Sequence, residues 1–175
     1  MKSISRFIGA TLILGMLVWT LTINMAIAPV RATIRQLEEA PGQMVYQSRQ
    51  TLKDQHGNIW QAIAFKRVSP NGKSSFELRL VGFPGVVEID RSKPLLLADS
   101  MGKTLAANDN SSIIFTDLSA PDSNVGEYDI QPLLPQLQPE IPLSLTLPIV
   151  GGETINLSVP ASFVQDWQTL FSSRE

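Results

Sequence analysis

Cysteine is absent from the chain, and histidine occurs once, as His56. Without a thiol there is no disulfide framework, thiolate nucleophile, iron–sulfur cluster, thiolate zinc site or acylated cysteine anchor. One imidazole also excludes zinc sites that need two. Positive charge is not in excess: 14 Lys and Arg stand against 16 Asp and Glu, a net −2. Nucleic acid is therefore not an expected partner, because its binding needs concentrated basic charge. Phosphate loops, dinucleotide fingerprints and Gly-x-Ser-x-Gly elbows are missing, and no repeat of constant period appears. What is present is 43% hydrophobic and 17% charged residues over 175 positions. That describes one domain able to bury a core.

The N-terminus reads as an export signal. Lys2 and Arg6 precede an uncharged stretch from Phe7 to Val30 that is apolar for most of its length. A basic start, an apolar run and small residues before a cut define a secretory signal. Ala26-Ile27-Ala28 is followed by Pro29, a poor residue after a scissile bond, whereas Val30-Arg31-Ala32 is well placed. Cleavage is expected between Ala32 and Thr33, making residues 1–32 a signal peptide. The alternative is an uncleaved anchor, since the run reaches the ~20 residues that span a bilayer. Loss of Lys2, Arg6 and Arg31 leaves 11 bases against 16 acids, a net −5.

Beyond a linker at 33–42, with at most one helical turn at Ile34–Glu39, residues 43–175 read as one β-rich domain. Strand formers fill Met44–Leu52, and Asp54–Asn58 is a turn by composition. Ile59, Ile63 and Phe65 share one face of the next run, with Trp60, Ala62 and Ala64 on the other, so this strand is central. Ser69-Pro70-Asn71-Gly72 reverses the chain, and Phe76, Leu78 and Leu80 then alternate with polar residues. Gly82–Gly85 interrupts that strand and Val86–Ile89 resumes it. Hairpins follow at 95–98 with 104–107 and at 143–147 with 155–159. Ser112–Phe115 reads as a short edge strand. Phe163, Val164, Trp167, Leu170 and Phe171 form a helical stripe, with Ser162 and Gln165 spaced as a capping box. The expected fold is mainly β: an antiparallel sandwich or partly closed barrel of about eight strands, with one C-terminal amphipathic helix.

The chemical inventory is thin. His56 with Asp54 would have to serve as base and orienter of a triad, yet it sits in a turn open to water. Glu88 with Asp90, and Glu127 with Asp129, are candidate carboxylate pairs for a hydrolase, but solvated faces explain them as well. Asn108-Asp109-Asn110 lacks the spacing of a calcium loop. No metal or cofactor is expected. Two proline-marked apolar segments are more informative: Gly82–Val87, and Pro132–Pro142 with four prolines. Prolines keep the second out of a central strand or long helix. Its leucines either cap the core or form a ledge for a partner. Phe83, Val87, Leu134 and Leu137 are thus the candidate partner-binding residues.

Four blocks carry a resemblance: EAPGQMVYQSRQTLKDQHGNIWQAIAFKR from Glu39 to Arg67, LRLVGFPGVVEID, NVGEYDIQPLLPQL and VQDWQTL. Together they resemble the cyanobacterial domain-of-unknown-function family 3122, over nearly all of the chain beyond the signal. The resemblance implies a cyanobacterial exported protein of the thylakoid lumen or periplasm, and supplies no catalytic residues. The expected function is a non-enzymatic accessory or interaction protein, serving a photosynthetic membrane complex from the lumenal or periplasmic side. A small apolar-ligand-binding β-barrel or sandwich protein is the alternative, and a carboxylate-dependent hydrolase a third. For location the alternative is a membrane protein anchored at its N-terminus with an exported domain.

Overall fold

The computed structural model describes residues 34–114 and 122–173. Among them nine strands form one open antiparallel sheet: β1 (Arg35–Ala40), β2 (Gln43–Lys53), β3 (Ile59–Val68), β4 (Ser74–Val81), β5 (Leu95–Asp99), β6 (Thr104–Asp109), β7 (Val125–Asp129), β8 (Leu143–Pro148) and β9 (Thr154–Val159). Their spatial order is β1-β2-β3-β4-β7-β6-β5-β8-β9. The fold is bent at β6: its Leu105–Ala107 portion pairs with β5, while Asn108 and Asp109 pair with β7. The two halves so produced face each other as a sandwich. At the far ends a single antiparallel bridge, Asp54 with Leu157, joins the end of β2 to β9 without closing the ring.

The alternation expected for the hairpins fixes the core. Trp60, Ala62 and Ala64 of β3 and Phe76, Leu78 and Leu80 of β4 point inward, facing Leu95, Leu97, Leu145, Leu147 and Leu157 from the other half. The helix α1 (Ala161–Ser172) follows β9 and buries Val164, Trp167 and Leu170. Side chains of the first half anchor it. Trp167 Nε1 donates to Gln50 Oε1 at 3.2 Å, and Gln50 Nε2 donates to Asp166 Oδ2 at 2.9 Å. Lys66 Nζ donates to the carbonyls of Phe171 and Ser173, satisfying the negative end of the helix.

Four local expectations are corrected. Residues 35–40 are neither linker nor helical turn. They form an edge strand, because Pro41-Gly42 turns the chain back and pairs β1 with β2. Val86–Ile89 does not resume β4. Those residues are turn and bridge, tied by Ile89 N–H to the Ser123 carbonyl and by Val150 N–H to the Glu88 carbonyl. Ser111–Ile113 is a 3₁₀ turn where an edge strand was expected, and Phe115 lies outside the described residues. The capping box does not form, because Pro160 occupies the N-cap and Ser162 already lies inside the helix.

Candidate functional site

The outer face of β1 to β4 and β7 is unlike an ordinary solvated face. Register places Arg35, Gln47, Phe65, Glu77 and Asp129 in one cross-strand row, and Arg49, Ile63, Arg79 and Glu127 in the next. Val45, Ile63 and Phe65 are buried there as a second, smaller apolar cluster. Guanidinium groups cover it: Arg67 lies 4.4 Å and Arg79 5.2 Å from the Phe65 ring centroid, within cation–π range. The same groups clamp Glu127, whose residue is wholly buried. Arg67 Nη1 donates to Glu127 Oε1 at 3.2 Å, and Arg79 Nε donates to Glu127 Oε2 at 2.8 Å. Arg67 also pairs with Glu39 at 3.2 Å and Glu77 at 3.5 Å.

Glu77 is the strained member of this network. Burial pushes its carboxyl above the ordinary value of 4.5, against the Ser75 hydroxyl and Arg67, and Glu127 and Asp129 add to the rise. Its Oε2 has ionic contact with Arg67 but no hydrogen bond among the described residues. Beside this network the face sinks into a basin of about 270 Å³, lined by Leu37, Val45, Gln47, Arg49, Ile63, Phe65 and neighbouring charges. Arg49 donates to Gln61 Oε1 at a long 3.4 Å. Among the described residues neither Arg49 nor Arg35 has a carboxylate partner.

The four residues singled out from the sequence do not come together as one ledge. Phe83 is 69% exposed at a loop tip. The loop leaves the sheet at Gly82, where a Cβ would come within 2.8 Å of the Trp60 ring, so only glycine permits this path. Val87 is half-buried against the core. Leu134 and Leu137 are core residues, at 1% and 7% exposure. A 3₁₀ turn at Leu134–Gln136 directs them inward, and Gln168 Nε2 of α1 donates to both their carbonyls. The leucines therefore seal the interior, and the exposure required of a ledge is not found there. An open groove of about 650 Å³ runs outside this strap, between Pro135, Pro139 and the Gln165–Ser172 side of α1. The proposed cut between Ala32 and Thr33 lies outside the described residues.

The remaining candidates have local tasks. The backbone N–H of His56, not its ring, donates to Asp54 Oδ1. Asp54 also accepts from the Asn58 backbone and side chain and from Trp60 Nε1 at 3.1 Å. Burial alone would raise the Asp54 carboxyl, but these four bonds outweigh it and hold the group below its ordinary value. Asp90 caps a turn through Ser92 and pairs with Lys93, and Asp109 holds Ser111. Among the described residues no three His, Asp or Glu side chains are grouped to hold a metal ion. No described helix is long and apolar enough to cross a membrane.

Fold and face together define an antiparallel β-sandwich sealed by a C-terminal helix, with an ion-paired outer sheet surface. Residues 32–170 match the model of a family described as protein of unknown function (DUF3122), and the chain belongs to that family. No match was found among curated proteins or among solved structures.

Proposed function

We propose that the chain is an exported, non-enzymatic accessory protein of the thylakoid lumen or periplasm that acts by binding a partner of a photosynthetic membrane complex. The observation that carries this reading is where space and chemistry lie. The interior is occupied by large side chains, Trp60, Trp167 and Tyr128 among them, while the basin and the groove described above both open outward. An apolar-ligand barrel would want its cavity enclosed between the sheets. A hydrolase would want a carboxylate facing substrate, yet Glu127 is clamped by two arginines and Asp54 is spent on a turn.

The test is affinity isolation of the tagged native chain with mass spectrometry, alongside its Phe83→Ser variant. Partner capture that Phe83→Ser abolishes, at unchanged melting temperature, supports an interaction through the loop tip. Recovery of a stoichiometric apolar small molecule by native mass spectrometry would replace this reading with the ligand-binding one. N-terminal sequencing of the native protein checks export, with Thr33 as the expected first residue. An intact membrane-embedded N-terminus would favour the anchored alternative.

A further inference from the structure

Among the described residues the outer face leaves one sheet edge unpaired and two cations without a carboxylate. β1 ends the strand order, and its far side pairs with no described strand. All six of its residues are exposed. Such an edge is a row of main-chain donors and acceptors awaiting another strand. Charges commonly protect an edge, but those on β1 are unequal. Glu38 already accepts from the Gly42 N–H at 3.0 Å, and Glu39 holds Arg67 and the Gln43 side chain. Among the described residues Arg35 has no carboxylate partner, and neither does Arg49 on the adjacent strand of the same face. Leu37, 51% exposed, leads from the edge down to Val45 and Phe65.

We propose that the open edge of β1 and the arginine basin form one docking site for an extended acidic segment of a protein partner. The segment would add as a further strand, with its acidic side chains on the basin face and the apolar ones between them on the opposite face. Main-chain bonds then supply affinity and the alternating side chains supply selectivity. Size favours a segment over a whole small molecule. The basin holds about 270 Å³, below the ~300–1,000 Å³ usual for small-molecule pockets. Reach is adequate too. An added strand lies about 4.8 Å from β1 and twice that from β2, so Arg35 is its immediate neighbour and Arg49 meets a long acidic side chain halfway. Glu39 is neutralised by Arg67, so along the row of Arg35 and Arg49 an acidic side chain meets two cations that no described carboxylate pairs, and a basic side chain meets repulsion. The site rests on the interaction reading above and specifies the partner's chemistry.

The probe is a fluorescent octapeptide of alternating Glu and Val, titrated against the full chain at low salt and followed by anisotropy. Saturable binding is expected, falling at least tenfold in the R35E/R49E variant while its melting temperature stays unchanged. A Lys–Val octapeptide should show the reverse preference. N-methylation at alternate residues should abolish binding in one frame and spare it in the other, because a strand presents every second N–H to its neighbour. Equal affinity for the two peptides, binding that survives R35E/R49E, or tolerance of both methylated frames would overturn the proposal. Full displacement by benzoate would also overturn it, in favour of a small-carboxylate site. A native partner still captured by R35E/R49E would refute this site and leave the interaction reading standing.

Discussion

The two faces of β3 solve the same burial problem by different means. Inward, Trp60, Ala62 and Ala64 meet other apolar side chains across the sandwich. Outward, Ile63 and Phe65 have no second layer among the described residues above them, and Phe65 is covered by the guanidinium groups of Arg67 and Arg79. Arginine can do this because its planar, weakly hydrated head stacks on a ring while still bonding carboxylates at its edge. The inner face is therefore stabilised chiefly by packing, with Asp54 at its rim the one carboxylate bonded to it through Trp60 among the described residues. The outer face couples its packing to charge.

The sharpest break of that contrast is Trp167→Ala, which removes the largest side chain that α1 places over the inner face. A loss of about 3–5 kcal/mol is expected from large-to-small arithmetic, read by chemical denaturation. A change within about 0.5 kcal/mol, the size of an indifferent surface substitution, would mean that the helix is not part of the sealed interior.

On the outer face, Glu127→Ala should cost roughly 2–3 kcal/mol, at or below the range for breaking a buried ion pair because both arginines keep some solvent. The double change Arg79→Met with Glu127→Leu should recover most of that loss, since whole-pair replacement by apolar groups is commonly neutral. Recovery would identify the ion pair as a cover for Phe65. Failure to recover would show that the charges themselves hold the sheet.

The pH response separates the faces further. Glu77 titrates above its free value of 4.5 in the fold, so the folded state takes up its proton first. Its contribution is fully present below 4.5 and is lost as pH rises through the higher folded value. Asp54 has the opposite sign: held below 3.8, it contributes above that value and loses its contribution as pH falls through the lower folded one. Denaturation midpoints compared between wild type and Glu77→Gln should differ most at neutral pH and converge near pH 4.5, with the variant the more stable of the two at neutrality. A constant difference across that range would contradict the burial of Glu77.

The smallest effect is expected at Tyr128, whose hydroxyl is buried with no hydrogen-bond partner among the described residues. Burial, with Asp109 and Asp90 nearby and Arg91 opposing, pushes its pKa upward. Tyr128→Phe should leave stability unchanged or raise it by up to about 1 kcal/mol, because an unsatisfied buried polar atom is removed. A clear loss would reveal a partner for that hydroxyl.

Strands with local signals were legible from sequence: Phe76, Leu78 and Leu80 alternate, and the 143–159 hairpin carries both its alternation and its Gly-Gly turn. β1 was not, because all of its residues are exposed and it is held by pairing with β2 rather than by an apolar face. The two proline-marked segments show the same limit. Both combine proline with large apolar residues, yet Phe83 projects outward while Leu134 and Leu137 are buried. What decides is a neighbour remote in sequence: Gln168 straps the second segment to α1, and among the described residues no such strap reaches Phe83. The arginine face was missed for a related reason. Arg79 meets Glu127 across 48 residues only because β7 lies beside β4, and that pairing leaves no trace in local alternation.

The Asp54–Leu157 bridge has a mechanical consequence. Next to it Gln55 donates to the Thr154 carbonyl and accepts from the Asn156 N–H, stitching one end of the β2–β9 seam. Further along, α1 packs against β2 and β3 and takes the place of strand pairing. The ring of strands is thus sewn at one lip and stoppered at the other. One lip is closed by main-chain bonds and the other by side chains alone, Trp167 to Gln50 and Gln168 to the leucine segment among them.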